Sequence, residues 1–152
     1  MAENETNLEP IIANIKNDTG KDEAFITKVL NRLQSFGYIP AESDAWIIAF
    51  CIDKVDNQIM NSCNIYKIPD KLVEIEIDRI CGEFLFSKKQ SGQLTAENGF
   101  NIEMAVKQVQ AGDTNIQFTD DQDSMETKLN TLISHLINSG ENELICFRQL
   151  KW

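Results

Sequence analysis

The sequence predicts a mainly α fold, a small bundle of amphipathic helices carrying one β-hairpin. Three observations lead there. Apolar residues recur three and four positions apart in several separate stretches. Helix starters and stoppers punctuate those stretches, among them Gly37, Ser43, Pro69 and Gly140. One segment alone, around Gly112-Asp113, alternates apolar and polar residues in the two-residue period of a strand.

Residues 1–21 form an acidic N-terminal segment in which Leu8, Ile11, Ile12 and Ile15 have helical spacing, so a short helix fits before Asn17-Asp18-Thr19-Gly20 breaks it. A helix follows over about 22–36, its stripe made by Phe25, Ile26, Val29, Leu30 and Leu33, with Gly37 at the left-handed stop. The next helix starts near Ser43, a good N-cap, and buries Ile47, Ile48, Cys51, Ile52, Val55 and Ile59. Trp46 and Phe50 give its front half a second apolar side, which points to a central position or a subunit contact.

A loop is expected over 61–67, and Pro69 then opens a third helix. Val73-Glu74-Ile75-Glu76-Ile77 alternates like a strand, yet Ile80, Cys81, Phe84 and Leu85 restore the helical period, so the whole segment reads as helix. Gly82 costs that helix about 1 kcal/mol relative to alanine and marks a close approach by another backbone. Residues 92–101 read as a linker. Val106 to Phe118 reads as the hairpin, within 104–118, turning at Gly112-Asp113 with Thr114, Ile116 and Phe118 on one side. An isolated hairpin is marginal in water and needs helices or a neighbouring subunit to cover it. The last helix begins at an Asp123/Glu126 capping box, carries Met125, Leu129, Leu132, Ile133, Leu136 and Ile137 on one stripe, and stops at Gly140.

At 152 residues with a net charge of -10, the chain is one domain of ordinary size with a strongly acidic surface. That charge argues against adhesion to the phosphate backbone of nucleic acid, which requires clustered Lys and Arg. No apolar run is long enough to span a bilayer, and the acidic N-terminus lacks the layout of a signal peptide, so the expected location is the cytoplasm, with no membrane partner. Cys51, Cys63, Cys81 and Cys146 form no C-x-x-C pair, and His135 is the only histidine, so reduced, core-packing thiols are expected rather than a metal site or a nucleophile. Asp120, Asp121, Asp123 and Glu126 lack the order and the glycine of a calcium loop and suit a helix N-terminus. Lys88-Lys89 suits a helix C-terminus for the same reason. No phosphate loop, nucleophile elbow or zinc-protease motif is present. By elimination the expectation is an interaction protein: no enzyme, no catalytic residue, no cofactor, no metal.

The C-terminal residues stay apolar through Leu144, Ile145, Phe147, Leu150 and Trp152, with Arg148 and Lys151 between them. Such a tail either folds back on its own core, the simpler physical reading, or docks on a partner, for which Trp and Arg are frequent anchors.

The order of several segments resembles the small head-tail connector (adaptor) proteins of tailed bacteriophages and prophages. The features are Cys63-Asn64-Ile65-Tyr66-Lys67-Ile68-Pro69 between two helices, Arg79-Ile80-Cys81-Gly82-Glu83-Phe84-Leu85 in the next, Gly112-Asp113-Thr114-Asn115-Ile116-Gln117-Phe118, and the closing Phe147-Arg148-Gln149-Leu150-Lys151-Trp152. They cover residues from about 25 to 152. The resemblance implies a helical connector domain over 22–140 with a protruding hairpin, and an extended C-terminal arm over 141–152. It implies a structural virion protein at the neck, made in the bacterial host cytoplasm and assembled as a homo-oligomeric ring, commonly a dodecamer, under the portal protein. Packaged DNA passes through the lumen without specific binding, and the ring meets the next head-completion (stopper) or tail-terminator protein. In that setting Phe147, Arg148, Leu150, Lys151 and Trp152 form the portal-binding arm. Trp46, Phe50, Gly112, Asp113, Ile116 and Phe118 make subunit contacts, with the helix face near Gly82. The alternative is a small acidic prophage-encoded regulator that binds a host protein.

Overall fold

A computed structural model describes residues 7–94, 100–101, 103–104, 107 and 125–149. Among them the chain is mainly helical. Helix α1 spans Glu9–Thr19, α2 Glu23–Ser35, α3 Ala45–Cys63, α4 Val73–Gln90, α5 Met125–Ile137 and α6 Glu141–Phe147. Helix α4 is the hub: it packs against α2, α3 and α5, while α1 lies on α2 and α3, and α6 lies on α3.

Local chemistry places these helices. Asp22 accepts the Phe25 backbone N–H at 2.8 Å and so caps α2. At its other end the Tyr38 N–H reaches Leu33 O and the Gly37 N–H reaches Gln34 O, with Gly37 left-handed at φ 82°. That is a Schellman stop, and it turns Tyr38 inward. Most of the predicted faces are buried: Ile26, Val29, Leu30 and Leu33 on α2; Ile48, Cys51, Ile52, Val55 and Ile59 on α3; Ile80, Cys81, Phe84 and Leu85 on α4; Leu129, Leu132, Ile133 and Leu136 on α5; Phe25, Ile47 and Ile137, expected on the same stripes, are only partly buried at their edges. The alternating stretch at Val73 is helical, as its continuation requires.

Gly82 marks a close approach within the chain rather than between subunits. A Cβ built there would lie 2.8 Å from Ile137 N and 2.8 Å from Leu136 Cβ. The missing side chain lets α4 and α5 touch backbone to backbone, so this face is already used and is not open to a second copy.

Other expectations are corrected. The N-terminal segment is not separate from the domain over 9–19: Ile11 and Ile15 of α1 are buried in the common core. Ser43 does not cap α3; a 3-10 turn over Glu42–Asp44 leads into it, because Asp44 points inward. The loop expected over 61–67 starts later, since α3 runs to Cys63 and stops at a left-handed Asn64. Pro69 precedes a 3-10 turn over Asp70–Leu72, which merges into α4. The 141–152 arm is not extended over 141–147. There α6 forms and buries Leu144, because an apolar turn gains more by docking than by facing water. Phe100, placed in a linker, is buried and makes an isolated antiparallel bridge with Tyr38. Of the hairpin range, Met104 and Lys107 are helical, and Gly112, Asp113, Ile116 and Phe118 lie outside the described residues, as does Asp123 of the capping box.

Candidate interaction surface

Helix α3 carries more apolar side chains than its own core can take. Ile48, Cys51, Ile52 and Val55 fill the inward side, which leaves Trp46 and Phe50, one turn apart, pointing out. Trp46 is 67% exposed and Phe50 62%. The next residue in that row, Lys54, reaches across to Glu83 of α4 at 3.0 Å. One turn further along α4 is Phe86, 42% exposed. Trp46 and Phe50 therefore share one outer face of α3, and Phe86 is exposed on the helix packed beside it. Single exposed apolar residues are ordinary; two aromatic ones a turn apart on one helix, with a third exposed on its neighbour, mark a surface with a task. Trp46 and Phe50 were expected as contact residues, and the structure leaves both available. Phe86 was missed, since its neighbours Phe84 and Leu85 belong to the core and nothing in the spacing sets it apart.

The tail residues divide. Phe147 is half-buried against the core and Arg148 is exposed, whereas Leu150, Lys151 and Trp152 lie outside the described residues. The segment is tied to the far end of α3: Gln149 N donates to Cys63 O at 2.7 Å, and Asn64 Nδ2 donates to Gln149 O at 2.9 Å. The Cys63 thiol donates to Leu144 O at 3.3 Å. Arg79 holds the turn before α6, donating to Ser139 O at 2.7 Å and to Glu141 Oε1 at 3.2 Å. Up to Gln149, then, the tail follows the simpler reading.

The described interior holds two charged clusters. In the first, Asp44 accepts from the Tyr38 hydroxyl at 2.7 Å and from Ala41 N at 2.9 Å, and Lys88 Nζ lies 2.5 Å from its other oxygen. Lys88 also donates to Gln93 Oε1 at 2.9 Å. Predicted as a solvated helix end, Lys88 is instead buried. In the second, Lys21 Nζ sits 2.7 Å from Asp56 and 3.6 Å from Glu76. One cation faces two carboxylates, and Asp56 Oδ1 and Glu76 Oε2 are buried with no donor. Burial, then the charge of Asp56, push the Glu76 carboxyl up to about 7, against the pull of Lys21. A proton held by Glu76 supplies the missing donor.

This cluster predicts a pH dependence. The folded chain retains a proton that the unfolded chain releases at the ordinary glutamate value of 4.5. The Glu76 contribution is therefore complete below that value and is lost as pH rises through about 7. The full span is on the order of 3 kcal/mol. Urea midpoints are expected to be higher at pH 5.5 than at pH 8, and Glu76→Gln is expected to remove most of that difference. An equal slope in the variant would assign the effect to other groups.

Among the described residues no group of three His, Cys, Asp or Glu side chains could hold a metal ion. No described helix is long and apolar enough to cross a membrane. Burial pushes the Cys51 thiol up to about 12 and raises that of Cys81 as well, which keeps both protonated and unreactive. Cys146 is exposed. What the described surface offers most distinctly is the set of exposed aromatic side chains on α3 and α4. Compared with known proteins, the chain matches no family model, no curated protein and no solved structure.

Proposed function

We propose that this chain is a structural protein of the phage neck, a head-tail connector whose copies assemble as a ring beneath the portal protein and join the capsid to the tail. The observation that carries the reading is the exposure of three aromatic side chains, Trp46 and Phe50 on one face of α3 and Phe86 on α4. Such a face gains about 25 cal/mol for each Å² it removes from water, so it favours association over solvation. The net charge of -10 supports it too, because a lumen that passes DNA must not hold the phosphate backbone. The segment order that resembles connectors supplies the biological setting.

The test is co-expression with the portal protein of the same genome, read by native mass and electron microscopy. A ring-sized complex containing both proteins is expected. Trp46→Ser with Phe50→Ser is expected to lower ring yield at least tenfold while leaving the helical circular dichroism unchanged, since neither side chain serves the core. A one-to-one complex with a host protein, and no affinity for the portal, would replace this reading with that of a regulator.

A further inference from the structure

The aromatic face needs an occupant, and the chain itself contains one of matching chemistry. The face is acidic at its rim. Glu42 lies one turn before Trp46, and Asp53 lies three residues after Phe50; both are exposed. Lys54 is already neutralised by Glu83 at 3.0 Å; Lys89 keeps its charge but is turned away to the neutral amide of Asn130 on α5. Beside the two α3 rings themselves stand the exposed carboxylates of Glu42 and Asp53. A complementary segment carries cations alternating with large apolar side chains, and Arg148, Leu150, Lys151 and Trp152 have that pattern.

The same copy cannot supply it. Gln149 is bound to Cys63 O at 2.7 Å, at the C-terminal end of α3. Phe50 is thirteen residues back along that helix, about 20 Å away at 1.5 Å per residue, and Trp46 is about 26 Å away. Residues 150–152 span at most about 11 Å. Gln149 and the face therefore lie at opposite ends of one helix, farther apart than the backbone of three further residues extends.

We infer that residues 148–152 of one copy dock on the Trp46–Phe50 face of a second copy. Two different surfaces then meet at each contact, the head-to-tail arrangement from which rings close. The inference rests on the connector reading and gives the tail a neighbouring subunit, in place of the portal, as its partner.

Two variants test it. One chain lacks residues 150–152 and keeps the face; the other carries Trp46→Ser and Phe50→Ser and keeps the tail. Neither change touches the described core, and circular dichroism checks the fold. Native mass is measured on each alone, on their equimolar mixture, and on each with the portal present. Each variant alone is expected to be monomeric, with the apparent self-association constant reduced at least tenfold from the unmodified chain. The mixture is expected to give dimers and no larger species, because one intact tail then meets one intact face. Self-association of the tail-less variant at the unmodified level would overturn the inference while leaving the connector reading standing. So would two silent variants that fail to pair when mixed. If the tail-less variant still forms rings but no longer binds the portal, the tail belongs to the portal after all. An unmodified chain that stays monomeric even with the portal would remove both readings together.

Discussion

Asp44→Ala is expected to cost about 3–5 kcal/mol of folding stability, the loss that follows when one partner of a buried ion pair is removed. The wild-type carboxylate is only 1% exposed and ties together two segments, the loop carrying Tyr38 and Ala41 and helix α4 with Lys88. Lys88 Nζ lies 2.5 Å from Oδ1, while the Tyr38 hydroxyl and Ala41 N–H donate to Oδ2. Truncation leaves the Lys88 ammonium buried with Gln93 Oε1 as its remaining polar partner. The Tyr38 hydroxyl, held well above its ordinary titration range by burial and by Asp44, loses its acceptor. Tyr38 also packs edge-on to Phe84 with ring centroids 5.1 Å apart, and it pairs with Phe100, so loosening it weakens both contacts. Asp44→Ala with Lys88→Met is expected to recover a large part of the loss, because the orphaned charge goes with it. Urea denaturation of the wild type, the single and the double variant measures this. A double variant no more stable than Asp44→Ala would show that the cost came from the lost bonds to Tyr38 and Ala41 and not from the lysine.

Substitution at Gly82 carries the second large effect. On an exposed helix, glycine to alanine gains about 1 kcal/mol. At Gly82 the gain is overwhelmed, because the new methyl meets Ile137 N and Leu136 Cβ at 2.8 Å, and a backbone cannot turn aside as a long side chain can. Gly82→Ala is expected to cost about 2 kcal/mol net, within the range of overpacked cores. Gly82→Leu is expected to push α5 off α4 and expose Leu129, Leu132, Ile133 and Leu136, which are buried in the native contact. Circular dichroism and dye binding read that outcome: helix content is retained over α1–α4 while apolar surface appears. A Gly82→Ala variant as stable as wild type would mean that α5 can retreat at little cost.

Much of the helical layout was legible in the sequence because local rules govern it. The α2 stripe, the Gly37 stop and the α5 stripe depend on residues three to seven positions apart, and those are printed in order along the chain. Helix ends were less legible where a distant partner took part. Ser43 is a good N-cap by type, yet it lies inside the 3-10 turn Glu42–Asp44, where the Asp44 carboxylate is turned inward to Tyr38 and to Lys88, 44 residues later. Nothing local in the stretch Val73–Ile77 sets Glu76 apart from Glu74; only the fold brings Lys21 and Asp56 against it. Trp46 and Phe50 were found because α3 was apolar on too many sides. Phe86 was not, because its exposure depends on where α3 crosses α4.

The sequence by itself determined the helical class, the inward faces of α2 to α5, and the glycine through which two backbones meet. Tertiary structure alone decided which backbone that is, which charges lie buried in pairs, and that α6 docks on α3 while two aromatic side chains one turn apart stay outside. The physical reason is the reach of the interactions. Helical periodicity and capping act within a turn or two of chain, whereas burial and ion pairing depend on neighbours that only the folded packing supplies.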